Sequence, residues 1–134
     1  MDPGRTRAAA VAIASCLALA SPAAADPVQR IIDGDTIVLV GGERIRIENI
    51  DAPEVGHAQC TSEREWGLRA TNHLRLILAR GEPALTRIGH DRFGRTLARL
   101  TINGRDVGEE MVAARMAVVF GRGRPSWCAM AAPH

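Results

Sequence analysis

The chain contains no lysine, so all seventeen basic side chains are arginines and any anion is met by a guanidinium with paired N–H donors. The arginines are scattered along the chain, which reads as compositional bias rather than selection for phosphate contacts. Neither sign of charge is in excess. With fifteen acids the formal net charge is +2, so overall charge does not mark a nucleic-acid binder, and a polyanion would have to be met locally. Long apolar runs are missing except Ala8 to Ala20, which is too short for a comfortable transmembrane helix. That run follows Arg5 and Arg7 and leads through Ser21-Pro22 to Ala23-Ala24-Ala25, the shape of a secretory signal peptide cleaved near Ala25. A lipoprotein box at Ile13-Ala14-Ser15-Cys16 is the competing reading, but the apolar stretch continues past Cys16, the wrong order. Residues 1–25 are therefore expected to be removed, leaving 26–134 as one small exported domain, periplasmic or secreted, with no membrane segment in the mature form. Internal repeats are absent. Cysteine is scarce too: of three, Cys60 and Cys128 survive cleavage. An even count in an exported chain points to a disulfide. Two unpaired thiols, or a weak zinc half-site at His57 and Cys60, are the alternatives.

Charge is concentrated in one place, the stretch Ile31 to Glu54. It places Asp33, Asp35, Asp51 and Glu54 with Arg44 and Arg46 around short apolar runs, with Gly34 and Gly41-Gly42 at the turns. If its three apolar runs are neighbouring strands, the loops after the first and third bring Asp35 and Asp51 together. Like charges about 4 Å apart repel by roughly 4 kcal/mol at an effective dielectric near 20, so such a cluster calls for a cation. The stretch reads as a metal and phosphate site. Period two along Arg44 to Glu48 sets Arg46 on the face opposite Ile45 and Ile47. Pro53 holds Ala52 extended and leaves its carbonyl free. Arg44, Glu43 and Glu48 read as surface.

Val28 to Ile32, Thr36 to Val40, Arg44 to Ile47, Ala84 to Ile88 and Thr96 to Ile102 read as five strands. A long helix is expected from Ser62, with Glu65 completing a capping box, to Gly81, packing Trp66, Ala70, Leu74, Ile77 and Leu78 inward. Asp106 caps a short helix through Arg115. The tail after Phe120 reads as loop. Five strands with one long and one short helix predict a mainly β fold with α, a five-stranded Greek-key barrel of the OB type.

The order DGDT, an arginine strand running into IDAPE, DRFGRTLARL, NGRDVGEEMV and RMAVVF resembles the thermonuclease (staphylococcal nuclease-like) family, over about Val28 to Phe120. The resemblance implies an OB-fold and a calcium-dependent phosphodiesterase acting on DNA and RNA, here expected as a monomer with one Ca²⁺. By motif, Asp35, Asp51 and the Ala52 carbonyl match the family's calcium ligands, and Asp33 an acidic neighbour of the metal. Arg46, Glu54 and Arg95 match its catalytic residues. The oxygen ligands are too few for a closed cage, so water and a substrate phosphate oxygen complete the shell. The arginines then stabilise charge on the phosphate, and Glu54 orders or deprotonates the attacking water.

Taken singly, Arg46 could pair with Glu48 or Glu54, and Arg95 with Asp91. Filled together, the six positions read as a nuclease rather than as a non-catalytic OB module binding oligonucleotide or another anionic ligand. His57, His90 and His134 fall in loops and read as solvated. Two departures stand out. The family often stacks a base on tyrosine, and this chain has none. Longer relatives end in a further helix, in place of which a Cys60–Cys128 bridge is expected to hold the tail.

Overall fold

A computed structural model describes residues 27–133, together with 3–4 and 9–15. Most of the expected signal peptide, the cleavage point, Cys16 and His134 lie outside the described residues. No helix among the described residues is long and apolar enough to cross a membrane.

The fold is mixed α and β, as the strand and helix patterns predict. Strands β1 (Val28–Asp33), β2 (Thr36–Leu39) and β3 (Arg44–Ile47) form an antiparallel meander, followed by β4 (Ile50–Asp51) and helix α1 (Thr61–Leu78). A hairpin of β5 (Ala84–His90) and β6 (Thr96–Ile102) comes next, then β7 (Arg105–Asp106), helix α2 (Val107–Ala113) and β8 (Val118–Val119). The five longer strands run in the order β1-β2-β3-β6-β5, with β3 and β6 parallel, an OB-type sheet. Ile37, Ile45, Ile47, Leu100 and Ala98 from the sheet meet Ala70, Leu74 and Ile77 from α1 and Met111 from α2 in one core.

The start of α1 differs from expectation. Cys60, not Ser62, is the N-cap: its Sγ accepts the Glu63 N–H at 3.3 Å, and Glu63 Oε2 accepts the Gln59 N–H at 2.7 Å. The cap is thus displaced by two residues, and Glu63 reaches back to the residue before the N-cap rather than to the N-cap itself. Ser62 instead donates to the Met130 carbonyl at 2.7 Å. Trp66, expected in the core, is half-buried and donates through Nε1 to the Ala131 carbonyl at 3.0 Å. The helix is capped at Ala79, ahead of Gly81, and α2 stops at Ala113 rather than Arg115.

Two close approaches position the charged stretch. Gly34, in the β1–β2 turn, lies where a Cβ would stand 2.7 Å from the Ala70 side chain and 3.0 Å from that of Ala52. Gly67 of α1 lies against the Glu54 carbonyl, 2.4 Å from where its own Cβ would be. Helix α1 therefore packs directly on both acidic loops, a contact only glycine permits.

Candidate active site

Ile45 and Ile47 enter the core with no exposure, so alternation turns Arg46 to the other face, where it is still 9% exposed. There its Nη1 donates to the Ile47 carbonyl at 2.8 Å, and its Nη2 donates to Asp51 Oδ1 at 2.8 Å and lies 3.8 Å from Asp35 Oδ2. One guanidinium nitrogen thus serves both carboxylates. Asp35, 4% exposed, accepts from Thr36 Oγ1 at 2.8 Å and from the Ala52 N–H at 3.0 Å. That second bond ties the β1–β2 turn to the segment after β4.

Asp33 and Glu54 form the other half of the cluster. Asp33 accepts the Val55 N–H at 3.0 Å, and its carboxylate and that of Glu54 are close enough for each to shift the other's titration. Burial first, then the charges of Asp33 and Asp35, push the Glu54 carboxyl up to about 7 against the pull of Arg124. Asp33 is likewise raised, chiefly by burial, although the Val55 N–H opposes the shift.

Arg95 comes from the β5–β6 hairpin. Its Nε donates to Asp91 Oδ2 at 2.7 Å, and Asp91 Oδ1 also accepts the N–H groups of Phe93 and Arg95 at 2.9 and 3.0 Å. Burial disfavours the Asp91 charge, but these donors outweigh it and hold the carboxyl below its ordinary value. The loop pair anticipated from sequence exists, yet Arg95 also opens, with Asp33, Glu54 and Arg44, on a cavity of about 720 Å³. Arg44 is exposed, as expected, and lies on the rim of this cavity. Glu43 and Glu48 do face outward, paired with Arg87 and Arg99.

Among the described residues, no three Asp, Glu, His or Cys side chains converge to enclose an ion by themselves. The fit for a cation is of a different kind. Two carboxylates already share one cationic atom, Arg46 Nη2, and their oxygen chemistry suits a hard divalent ion with open positions.

Sequence reasoning missed Arg124 and Glu63. Cys60 and Cys128 are joined by a disulfide, with Cα atoms 5.9 Å apart, and it draws the tail across the cavity. Arg124 then stands 3.6 Å from Asp51, 3.9 Å from Glu54 and 3.2 Å from Glu63. No periodicity marks this tail; the only signal was the second cysteine.

Comparison with known proteins agrees with this geometry. Residues 44–127 match the family model described as staphylococcal nuclease homologue. Over 94 residues the chain is 45% identical to a micrococcal nuclease of Shigella flexneri, covering 66% of this chain and 50% of that protein. It is 41% identical over 100 residues to protein ParB of Escherichia coli, covering 70% and 52%. It is 34% identical over 97 residues to the endonuclease YhcR of Bacillus subtilis strain 168, covering 63% of this chain and 8% of that protein. The chain spans about half the length, or less, of these curated relatives.

Proposed function

The chain belongs to the family of staphylococcal nuclease homologues, and on that premise we propose that it is an exported, calcium-dependent nuclease hydrolysing phosphodiester bonds of DNA and RNA. The observation that carries this reading is Arg46: a nearly buried guanidinium bridging Asp35 and Asp51, beside a cavity onto which Glu54 and Arg95 open. Asp35, Asp51 and the Ala52 carbonyl would hold the ion. When bound, it polarises the phosphate, lowers the pKa of water and favours the ionised form of Glu54.

The chain's own residues account for the rest. Glu54 takes a proton from the attacking water as the new P–O bond forms and the ester P–O bond opposite it breaks, and the departing alkoxide takes its proton from solvent. Charge growing on the non-bridging oxygens is met by Arg46 and Arg95, each able to present two parallel N–H donors. Asp91 orients Arg95 while leaving guanidinium donors beyond Nε for substrate. Asp33, close to Glu54, helps hold its carboxyl in the protonated form until the ion is bound.

Plasmid and RNA incubated with the purified protein should be degraded in calcium and preserved in excess chelator. Glu54→Gln should slow turnover by at least about 100-fold, the usual scale for losing a general base. Unchanged turnover in either arm rejects the mechanism, and oligonucleotide binding without turnover would leave a binding module.

A further inference from the structure

The segment after β8 is held at both ends. Val118 pairs with Asp51 across β8 and β4, and the Phe120 N–H donates to the Asn49 carbonyl at 3.0 Å. At the far end, Cys128 is bonded to Cys60, the N-cap of α1. Trp127, next to Cys128, is 6% exposed, and the Arg124 guanidinium lies over its ring, 4.6 Å from the centroid. A guanidinium held over a buried ring is restrained in place, and Arg124 lines the cavity.

Of the five N–H donors a guanidinium carries, one is spent among the described residues, on Glu63 at 3.2 Å. The approaches to Asp51 and Glu54, at 3.6 and 3.9 Å, are charge contacts outside hydrogen-bond range. A tie between tail and helix would need only the Glu63 bond. It would not need a guanidinium on the cavity wall, 41% exposed, beside the two carboxylates that flank the reaction.

We propose that Arg124 grips a phosphate of the bound nucleic-acid strand, delivered to the site by the disulfide-tethered strap. This rests on the nuclease reading above. Substrate brings negative charge into a cavity already walled by Asp33, Glu54 and Glu63, and Arg124 supplies cationic donors where that charge accumulates. The donors come from a segment that is neither strand nor helix, so their position depends on the Cys60–Cys128 bond.

The test uses a fluorescein-labelled single-stranded oligodeoxynucleotide, followed by anisotropy in calcium, with the oxidised full chain carrying Glu54→Gln to prevent cleavage. Adding Arg124→Ala should weaken binding by about 10- to 100-fold, the worth of charge-assisted hydrogen bonds. Arg124→Lys should recover part of that loss, and Arg122→Ala, in the same strap, none of it lost. In the chain retaining Glu54, assayed at about pH 9 so that this carboxylate stays ionised with or without its neighbour, Arg124→Ala should raise KM by a similar factor and leave kcat within about threefold, as loss of uniform binding does. Reductant should weaken binding by the Arg124 protein and add nothing in Arg124→Ala. Binding by Arg124→Ala within twofold of its parent overturns the proposal, as does a fall in thermal stability with affinity intact. So does equal weakening by reductant with and without Arg124. A chain that binds oligonucleotide but never cleaves it sinks the nuclease reading alone; a cleaving chain indifferent to Arg124→Ala sinks this inference alone.

Discussion

Arg46 is the cationic link between Asp35 and Asp51, with side chains 10%, 6% and 19% exposed. Arg46→Ala leaves two nearly buried carboxylates facing one another, which should cost about 3 kcal/mol of stability in chelator. Calcium should raise the Tm of that variant more than that of the parent, because the ion fills the same charge deficit; an equal rise in both would count against a shared site. Asp33 and Glu54 carry an opposite sign of pH dependence from most carboxylates. Burial raises both, Glu54 from 4.5 to about 7. Across that window the folded, cation-free protein keeps protons that the unfolded chain has released, so its stability falls as pH rises. Glu43, held low first by its bond to Arg87, and Asp91, held low by donors that outweigh burial, lose their contributions only in more acid solution. Denaturation scans in chelator should therefore show a lower Tm near pH 8 than near pH 5.5, with calcium narrowing the gap. A Tm climbing steadily over that range would contradict the assignment.

Helix α1 and the β5–β6 hairpin each set one candidate catalytic side chain from behind. On α1, Gly67→Ala would drive a Cβ into the Glu54 and Pro53 carbonyls, at 2.4 and 3.0 Å, atoms that cannot turn aside. Overpacking of this kind costs about 1 to 3 kcal/mol, and because the displaced backbone bears Glu54, turnover should fall further than stability explains. Comparing activity at a temperature where the variant is fully folded separates the two. In the hairpin, Asp91→Ala releases Arg95 together with the loop N–H groups it accepts. A roughly tenfold loss of kcat/KM is expected, the cost of a mispositioned arginine, and unchanged kinetics would show that Arg95 needs no holder. The shift of the α1 cap has a reason at this scale as well. Ser62-x-x-Glu65 and Cys60-x-x-Glu63 compete as capping pairs, and the disulfide fixes Cys60 where the helix must begin. Strands β4 and β8 are only two residues each, too short for any period to show, yet their pairing delivers both Asp51 and the strap.

For the whole molecule, the disulfide closes a loop between residues 68 apart in sequence. A closure of that length is worth about 4 kcal/mol in the chain-entropy model, a large share of a typical folding free energy. Urea titration of Cys60→Ser/Cys128→Ser against the oxidised protein should show a loss of that order, and coincident curves would mean that the tail is held by Trp127 and the Met130 and Ala131 carbonyl bonds alone. The strands, the inward face of α1 and the Arg46 alternation were readable because they are local: periods of 2 and 3.6 record which side of an element meets water. Asp33, Asp35, Asp51 and Glu54 were readable because four acids in one short stretch need an explanation that solvent exposure does not provide. Sequence by itself thus determined the OB-type architecture and the candidate metal and arginine set. Only the tertiary structure decided how Arg46 spans two carboxylates, that burial beside Asp33 raises Glu54, and that Arg124 crosses to the cavity. Those outcomes depend on distances between segments far apart in the chain, which packing, two glycine contacts and one disulfide set together, and no local pattern encodes them.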